Sequence, residues 1–91
     1  MVYLITYDLN SEGQKYEDVI ATIQDVSNGN YCSYWKSSYL FSSNLTDEQI
    51  LDRLEPYIDT NDSLIIIKVD GEIKGWFSST QKEKIISITN Q

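Results

Sequence analysis

The first residue in this chain placed to do chemistry is an acid at the end of an apolar run. Val2 to Tyr7 is β-branched, aromatic or aliphatic almost throughout, and Asp8 follows it directly. A short run of that composition reads as a strand covered on both faces, hence a central strand. A carboxylate emerging from its end is held rigidly, at the place where ligands meet open sheets. The same position also serves capping, because Asp8, Asn10 or Ser11 can close the first turn of a following helix. Asp59, Asn61 and Asp62 form a second oxygen-rich group. It lacks the glycine and the distal glutamate of a calcium loop and reads as a turn.

Other chemistries are poorly supplied. The chain has no histidine and one cysteine, Cys32, which removes the commonest general base, an internal disulfide and any cysteine-cluster zinc site. Ser37, Ser38, Ser42 and Ser43 have no histidine to activate them, and Lys36 lies in a strand pattern where it is solvated. Tyr31, Tyr34, Trp35, Tyr39 and Phe41 could form a base-stacking platform, but only Lys36 accompanies them, so core and interface is the plainer reading. Gly75-Trp76-Phe77 places two large aromatics late in the chain, to close the core or to anchor a partner chain.

The elements that must position these residues follow from periodicity. Ser11 and Gln14 form a capping-box pair, and Tyr16, Val19, Ile20, Ile23 and Val26 follow at helical spacing. Ser27-Asn28-Gly29-Asn30 ends that helix. Tyr31 to Ser43 predicts two short strands joined near Lys36-Ser37-Ser38. Thr46 with Gln49 opens a second helix, whose buried side is Ile50, Leu51, Leu54 and Ile58, and Pro56 ends its regular turns. Leu64 to Val69 reads as a strand in the middle of a sheet, with a turn at Asp70-Gly71. Glu72 to Phe77 suggests a short strand, and Ser78 to Gln81 the start of a third helix carrying Ile85, Ile86 and Ile88. The order predicts an α+β fold, a ferredoxin-like βαββαβ sandwich with a short C-terminal strand or helix extension, in one domain over residues 1–91.

Composition limits the partners. Seven basic residues against fourteen acidic ones give a formal net charge of -7, which opposes phosphate backbones and favours solubility, a basic partner or metal binding. A domain of 91 residues buries a modest core, so oligomerisation is expected. No basic stretch precedes the first strand and no run is long enough to span a bilayer, so the expected location is cytoplasmic.

The stretch Val2 to Asn10, an apolar strand ending in Tyr7-Asp8, resembles the opening strand of the CRISPR-associated Cas-Two family, and the chain is particularly similar to its short stand-alone SinR-like branch. Gly29, Ser38-Tyr39-Leu40-Phe41, the helix after Thr46, the Asn61-Asp62 turn and Gly75-Trp76 agree in order. The resemblance implies a ferredoxin-like homodimer acting on nucleic acid in antiviral defence. In that family some members are magnesium-dependent endonucleases, with the aspartate at Asp8 as catalytic metal ligand at the two-fold interface, and others are scaffolds for duplex DNA. Trp76 and Phe77 would then lie at the interface. Two departures bear on this: Asn30 to Tyr34 stand where basic residues are expected, and Ser42 and Ser43 where an acid closes the third strand. The alternative is a non-catalytic acidic interaction module for a basic protein, built on the same scaffold and imitating nucleic acid in a defence or mobile-element setting.

Overall fold

The computed structural model describes residues 1–10 and 14–90. Its elements are β1 (Val2–Asp8), α1 (Gln14–Val26), β2 (Tyr31–Trp35), β3 (Ser38–Ser42), α2 (Asp47–Leu54), β4 (Ser63–Lys68) and α3 (Ser79–Thr89). A 3-10 turn, Glu55–Tyr57, follows α2 where Pro56 removes a helical donor. The four strands form one sheet in the order β2-β3-β1-β4, with every neighbouring pair antiparallel. That order is the ferredoxin-like split βαβ pattern predicted from the sequence.

Both predicted capping boxes downstream of the first are present. Thr46 Oγ1 accepts from the Gln49 amide at 3.2 Å while Gln49 Oε1 accepts from the Thr46 amide at 2.9 Å. Ser78 and Gln81 repeat the exchange at the start of α3, at 3.1 and 3.0 Å. The predicted Ser11–Gln14 box lies outside the described residues. At the other end of α1, Asn28 and Gly29 take positive φ and the Gly29 amide reaches back to the Gln24 carbonyl at 3.0 Å, a left-handed helix close.

The sheet is loaded on two sides. Tyr3, Ile5 and Tyr7 of β1 join Val19, Ile23, Ile50 and Leu54 in a core beneath α1 and α2. Leu40 and Cys32 on the opposite face meet Ile85 and Ile88 of α3, with Leu4, Ile73 and Phe77 packed around them. α3 packs against β2 and β3, so the outer face of β4 is left bare.

Three expectations need correction. Leu64 to Val69 does not run through the middle of the sheet: β4 is an edge strand, with Ile65 58 % and Ile67 49 % exposed on its outer face. A continuous apolar run arises here from one face on the core and a second face that no part of the described chain covers. Glu72 to Phe77 forms no strand; it folds back so that Ile73 and Phe77 seal the outer cluster. Leu51 flanks the buried Ile50–Leu54 stripe of α2 and remains exposed.

If α3 is part of the folded unit, Ile88→Ala should cost about 2–5 kcal/mol, as for other fully buried aliphatic truncations. The exposed Ile86→Ala should stay within about 0.5 kcal/mol. Urea denaturation of the two variants measures this, and equal midpoints would show that α3 is not docked.

Candidate functional site at the end of the central strand

Strand parity separates Tyr7 from Asp8. Tyr7 turns into the helix-side core, where its ring lies parallel to Tyr39 at 6.5 Å between centroids and tilted against Tyr16 at 5.8 Å. Among the described residues its hydroxyl is buried without a hydrogen-bond partner, and burial, with the neighbouring Tyr39 and Tyr16, pushes the phenol well above its ordinary range. Tyr7 is therefore an anchor and not an acid or base. Asp8 points to the opposite, outer face, the same side as Thr6, and is exposed.

Asp8 stands across from Ser63 of β4 and borders an open depression of about 300 Å³ whose other walls include Thr6 and Ile65. Among the described residues its carboxylate has no hydrogen-bond or ionic partner, so it is free to meet a ligand. Thr6 Oγ1 and Ser38 Oγ are 2.9 Å apart and continue a polar row across the sheet. The donors around Asp8 are all oxygens, a set that suits magnesium over softer metals. No group of three or more His, Cys, Asp or Glu side chains able to hold a metal occurs among the described residues. Asp8 is the one carboxylate among the residues that line the depression.

The Asp59–Asp62 segment does more than turn the chain. The Asp62 side chain is fully buried; its Oδ1 accepts from the Asn10 amide at 2.6 Å and its Oδ2 from the Asp59 amide at 2.8 Å. Lys15 Nζ lies 2.5 Å from the same carboxylate and 2.6 Å from Asp59. The Asn10 and Asp59 amides first, and then Lys15, hold the Asp62 carboxyl down at about 2. Hydrogen bonds to Asp59 and then Asp62 raise Lys15. The clamp ties the segment after β1 to the segment before β4, immediately behind Asp8. It also removes Asp62 from the list of free ligands.

The remaining sequence candidates separate clearly. Cys32 is buried and burial pushes its thiol up, so it is an inert packing residue. Of the aromatic segment, Tyr39 and Phe41 belong to the core with Tyr31 packed on it, whereas Tyr34 and Trp35 are exposed. Phe77 is packed within its own chain, and Trp76 projects into solvent at 92 % exposure. Sequence reasoning missed the Lys15–Asp62 clamp, which has no signature at a separation of 47 residues. It also missed the division of charge: α1 carries Glu17, Asp18 and Asp25, and α2 Asp47, Glu48 and Asp52, all on the helix side. Lys36, Lys68, Lys74, Lys82 and Lys84 lie outside that layer.

No family model matches the chain, and no curated protein does. Among solved structures it is similar to the crystal structure of Streptococcus pyogenes Cas2 at pH 6.5, with a TM-score of 0.50 and 22 % identity. That match covers 82 % of this chain and 100 % of the other. The likeness shows a shared fold, of the kind that the Tyr7-Asp8 strand suggested. Among the described residues no helix is long and apolar enough to cross a membrane.

The clamp predicts a pH response. A carboxyl held below its ordinary 3.8 contributes stability that is fully present above about pH 4 and lost as pH falls through about 2. Asp62→Asn should therefore melt at a lower temperature at neutral pH and show a flatter acid limb than the wild type. Parallel acid limbs in thermal melts would remove Asp62 from the stability of the site.

Proposed function

We propose that this chain acts on nucleic acid as a two-fold symmetric homodimer of the Cas-Two kind, in the compass of its short stand-alone branch, with Asp8 of each protomer as a catalytic magnesium ligand. The observation that carries the reading is the free, rigidly based Asp8 carboxylate beside a bare apolar edge strand. Ile65 borders both the Asp8 depression and the exposed strip that continues to Ile67. An exposed edge with aliphatic side chains is a template for pairing, and natural sheets cover or charge such edges. A second copy docked there would bury the exposed half of both isoleucines, about half of the 1.5–3 kcal/mol that a full burial contributes for each. It would also bring the two Asp8 carboxylates towards one axis. Trp76, left free by the fold, lies beside Tyr34 at the β2 edge, across the sheet from this contact.

The residues present fit such an ion: Asp8 supplies charge, Ser63 a neighbouring hydroxyl, and the open depression leaves room for the waters that magnesium retains. When bound, magnesium would sharpen a water or steady a phosphate. The protein's own part is placement, through the Asp62 clamp that sets the strand end and the Tyr7 ring that anchors it.

A second reading is favoured by the acidic helix layer. Asp47, Glu48 and Asp52 are exposed on α2 beside Glu17 and Asp25 on α1, a surface suited to a basic protein in a defence setting. It uses the opposite side of the molecule from Asp8.

Two outcomes are expected. Asp8→Ala should keep the wild-type melting temperature, as a free surface acid contributes within about 0.5 kcal/mol, and should lose any magnesium-dependent cleavage of DNA or RNA. Undiminished cleavage would exclude Asp8, and no magnesium-dependent cleavage by the wild type would leave the scaffold or the basic-partner reading. Light scattering should report a dimer that Ile65→Asp converts to a monomer; a wild-type monomer at micromolar concentration would defeat the symmetric site.

A further inference from the structure

The register of the β2–β3 hairpin contains an irregularity with chemical content. Ser33 pairs with Tyr39, but the next pair is Trp35 with Ser38, so Tyr34 is an extra residue, a β-bulge. In a regular strand Tyr34 and Trp35 would face opposite sides of the sheet. The bulge puts both on the outer side, and their rings stack at 6.1 Å with planes 3° apart. The arrangement is pinned from the C-terminal segment: the Tyr34 hydroxyl donates to the Trp76 carbonyl at 3.0 Å, and Gln81 Nε2 donates to the Tyr34 carbonyl at 3.1 Å. Phe77 supports the Tyr34 ring edge-on at 5.8 Å. The outer ring of the stack, Trp35, is 67 % exposed, and Trp76 is 92 % exposed close by.

The rim of this patch is basic and lacks exposed aliphatics. Lys36 follows Trp35, and Lys74 precedes Gly75-Trp76; both are exposed. Lys74 is 3.2 Å from Glu72 in a solvent-exposed pair that a phosphate can replace. The excess of acid lies on the helix side of the sheet, away from this face. Flat π-faces beside lysines are the chemistry of unpaired-base recognition, whereas the aliphatic strip of Ile65 and Ile67 is suited to a protein surface.

The patch also shares a pole with Asp8. Trp35 pairs with Ser38 and Ser38 with Thr6, so two strand spacings, about 10 Å, separate Trp35 from Thr6. Asp8 lies two residues further along β1 on the same face. We infer that the bulged Tyr34–Trp35 pair and Trp76 form a stacking platform for the unpaired bases of a single-stranded nucleic acid, with Lys36 and Lys74 on its phosphates. The strand then runs over Ser38 and Thr6 towards Asp8. This rests on the nucleic-acid reading above and names the form and position of its ligand. The platform needs no duplex, which agrees with the scarcity of basic residues.

Tryptophan fluorescence of the full chain tests it, titrated with oligo(dT), oligo(rU) and a blunt DNA duplex. Both single strands should quench; the duplex should not. Preference between dT and rU reports contact with the sugar. Trp35→Ala and Trp76→Ala should each weaken single-strand binding about thirtyfold, the middle of the range for one base–aromatic stack. Trp35→Phe should retain most of it, and Leu51→Ala, exposed on the helix side away from the platform, should bind as the wild type does. Circular dichroism should be unchanged, because both tryptophans are exposed. Wild-type affinity in both alanine variants, or no binding of single strands by the wild type, would overturn the platform. So would a loss of the dimer in Trp76→Ala with binding intact, which would assign the patch to protein. Single-strand binding without Asp8-dependent cleavage would sink the metal reading alone; Asp8-dependent cleavage of duplex without single-strand binding would sink the platform alone.

Discussion

Everything in this molecule depends on the period-two alternation of β1. The strand lies inside the sheet with β3 on one side and β4 on the other, so its backbone polarity is satisfied and only side-chain parity remains to be settled. Tyr3, Ile5 and Tyr7 go to the helices, and Val2 and Leu4 to α3. A slip of one residue would exchange the two sets and drive Asp8 into the core. The aromatic cluster makes that slip expensive: Tyr3 and Tyr7 are large, and the Tyr3 hydroxyl donates to the Leu45 carbonyl at 2.7 Å. Asp8 faces outwards because Tyr7 faces inwards.

The two faces of the sheet then acquire different characters. The helix side takes two amphipathic helices whose outer surfaces are crowded with acids, relieved by Lys15 at the clamp and by Arg53, which lies 3.4 Å from Asp25. The outer side is covered by a single helix set over β2 and β3. A domain this small has too few apolar residues to cover both sides fully, and the shortfall appears at Ile65 and Ile67. Net charge therefore describes the molecule poorly. The surface that carries Asp8, Trp35 and Trp76 is the less acidic one.

The C-terminal segment couples these features. Residues 72–77 add no strand; they wedge Ile73 and Phe77 against the sheet, and the Trp76 carbonyl and Gln81 side chain fasten the β2 bulge. The same segment that closes the outer core thereby holds Tyr34 and Trp35 in place. A bulge so fastened on an edge strand resists pairing with another strand there, while β4 at the opposite edge has no such protection.

The amino-acid sequence by itself determined the elements and their order, because periodicity, capping boxes and turn residues act over a few positions. Val2 to Tyr7, the Thr46–Gln49 and Ser78–Gln81 boxes, the hairpin at Lys36-Ser37 and the helix end at Asn28-Gly29 were all legible. The position of Asp8 at the end of that strand was legible too, while its outward direction followed from the packing of Tyr7. Tertiary structure decided what local pattern cannot encode. Leu64 to Val69 looks the same whether a strand is central or at an edge, because the pattern records apolarity and not what covers it. Trp35 joins Tyr34 on the outer face only through a one-residue bulge, fastened by contacts more than forty residues away. Asp62 reads as a turn residue until folding brings Asn10 and Lys15 to it. Each of these depends on which distant backbone arrives opposite a given residue, and that is a property of the packed sheet.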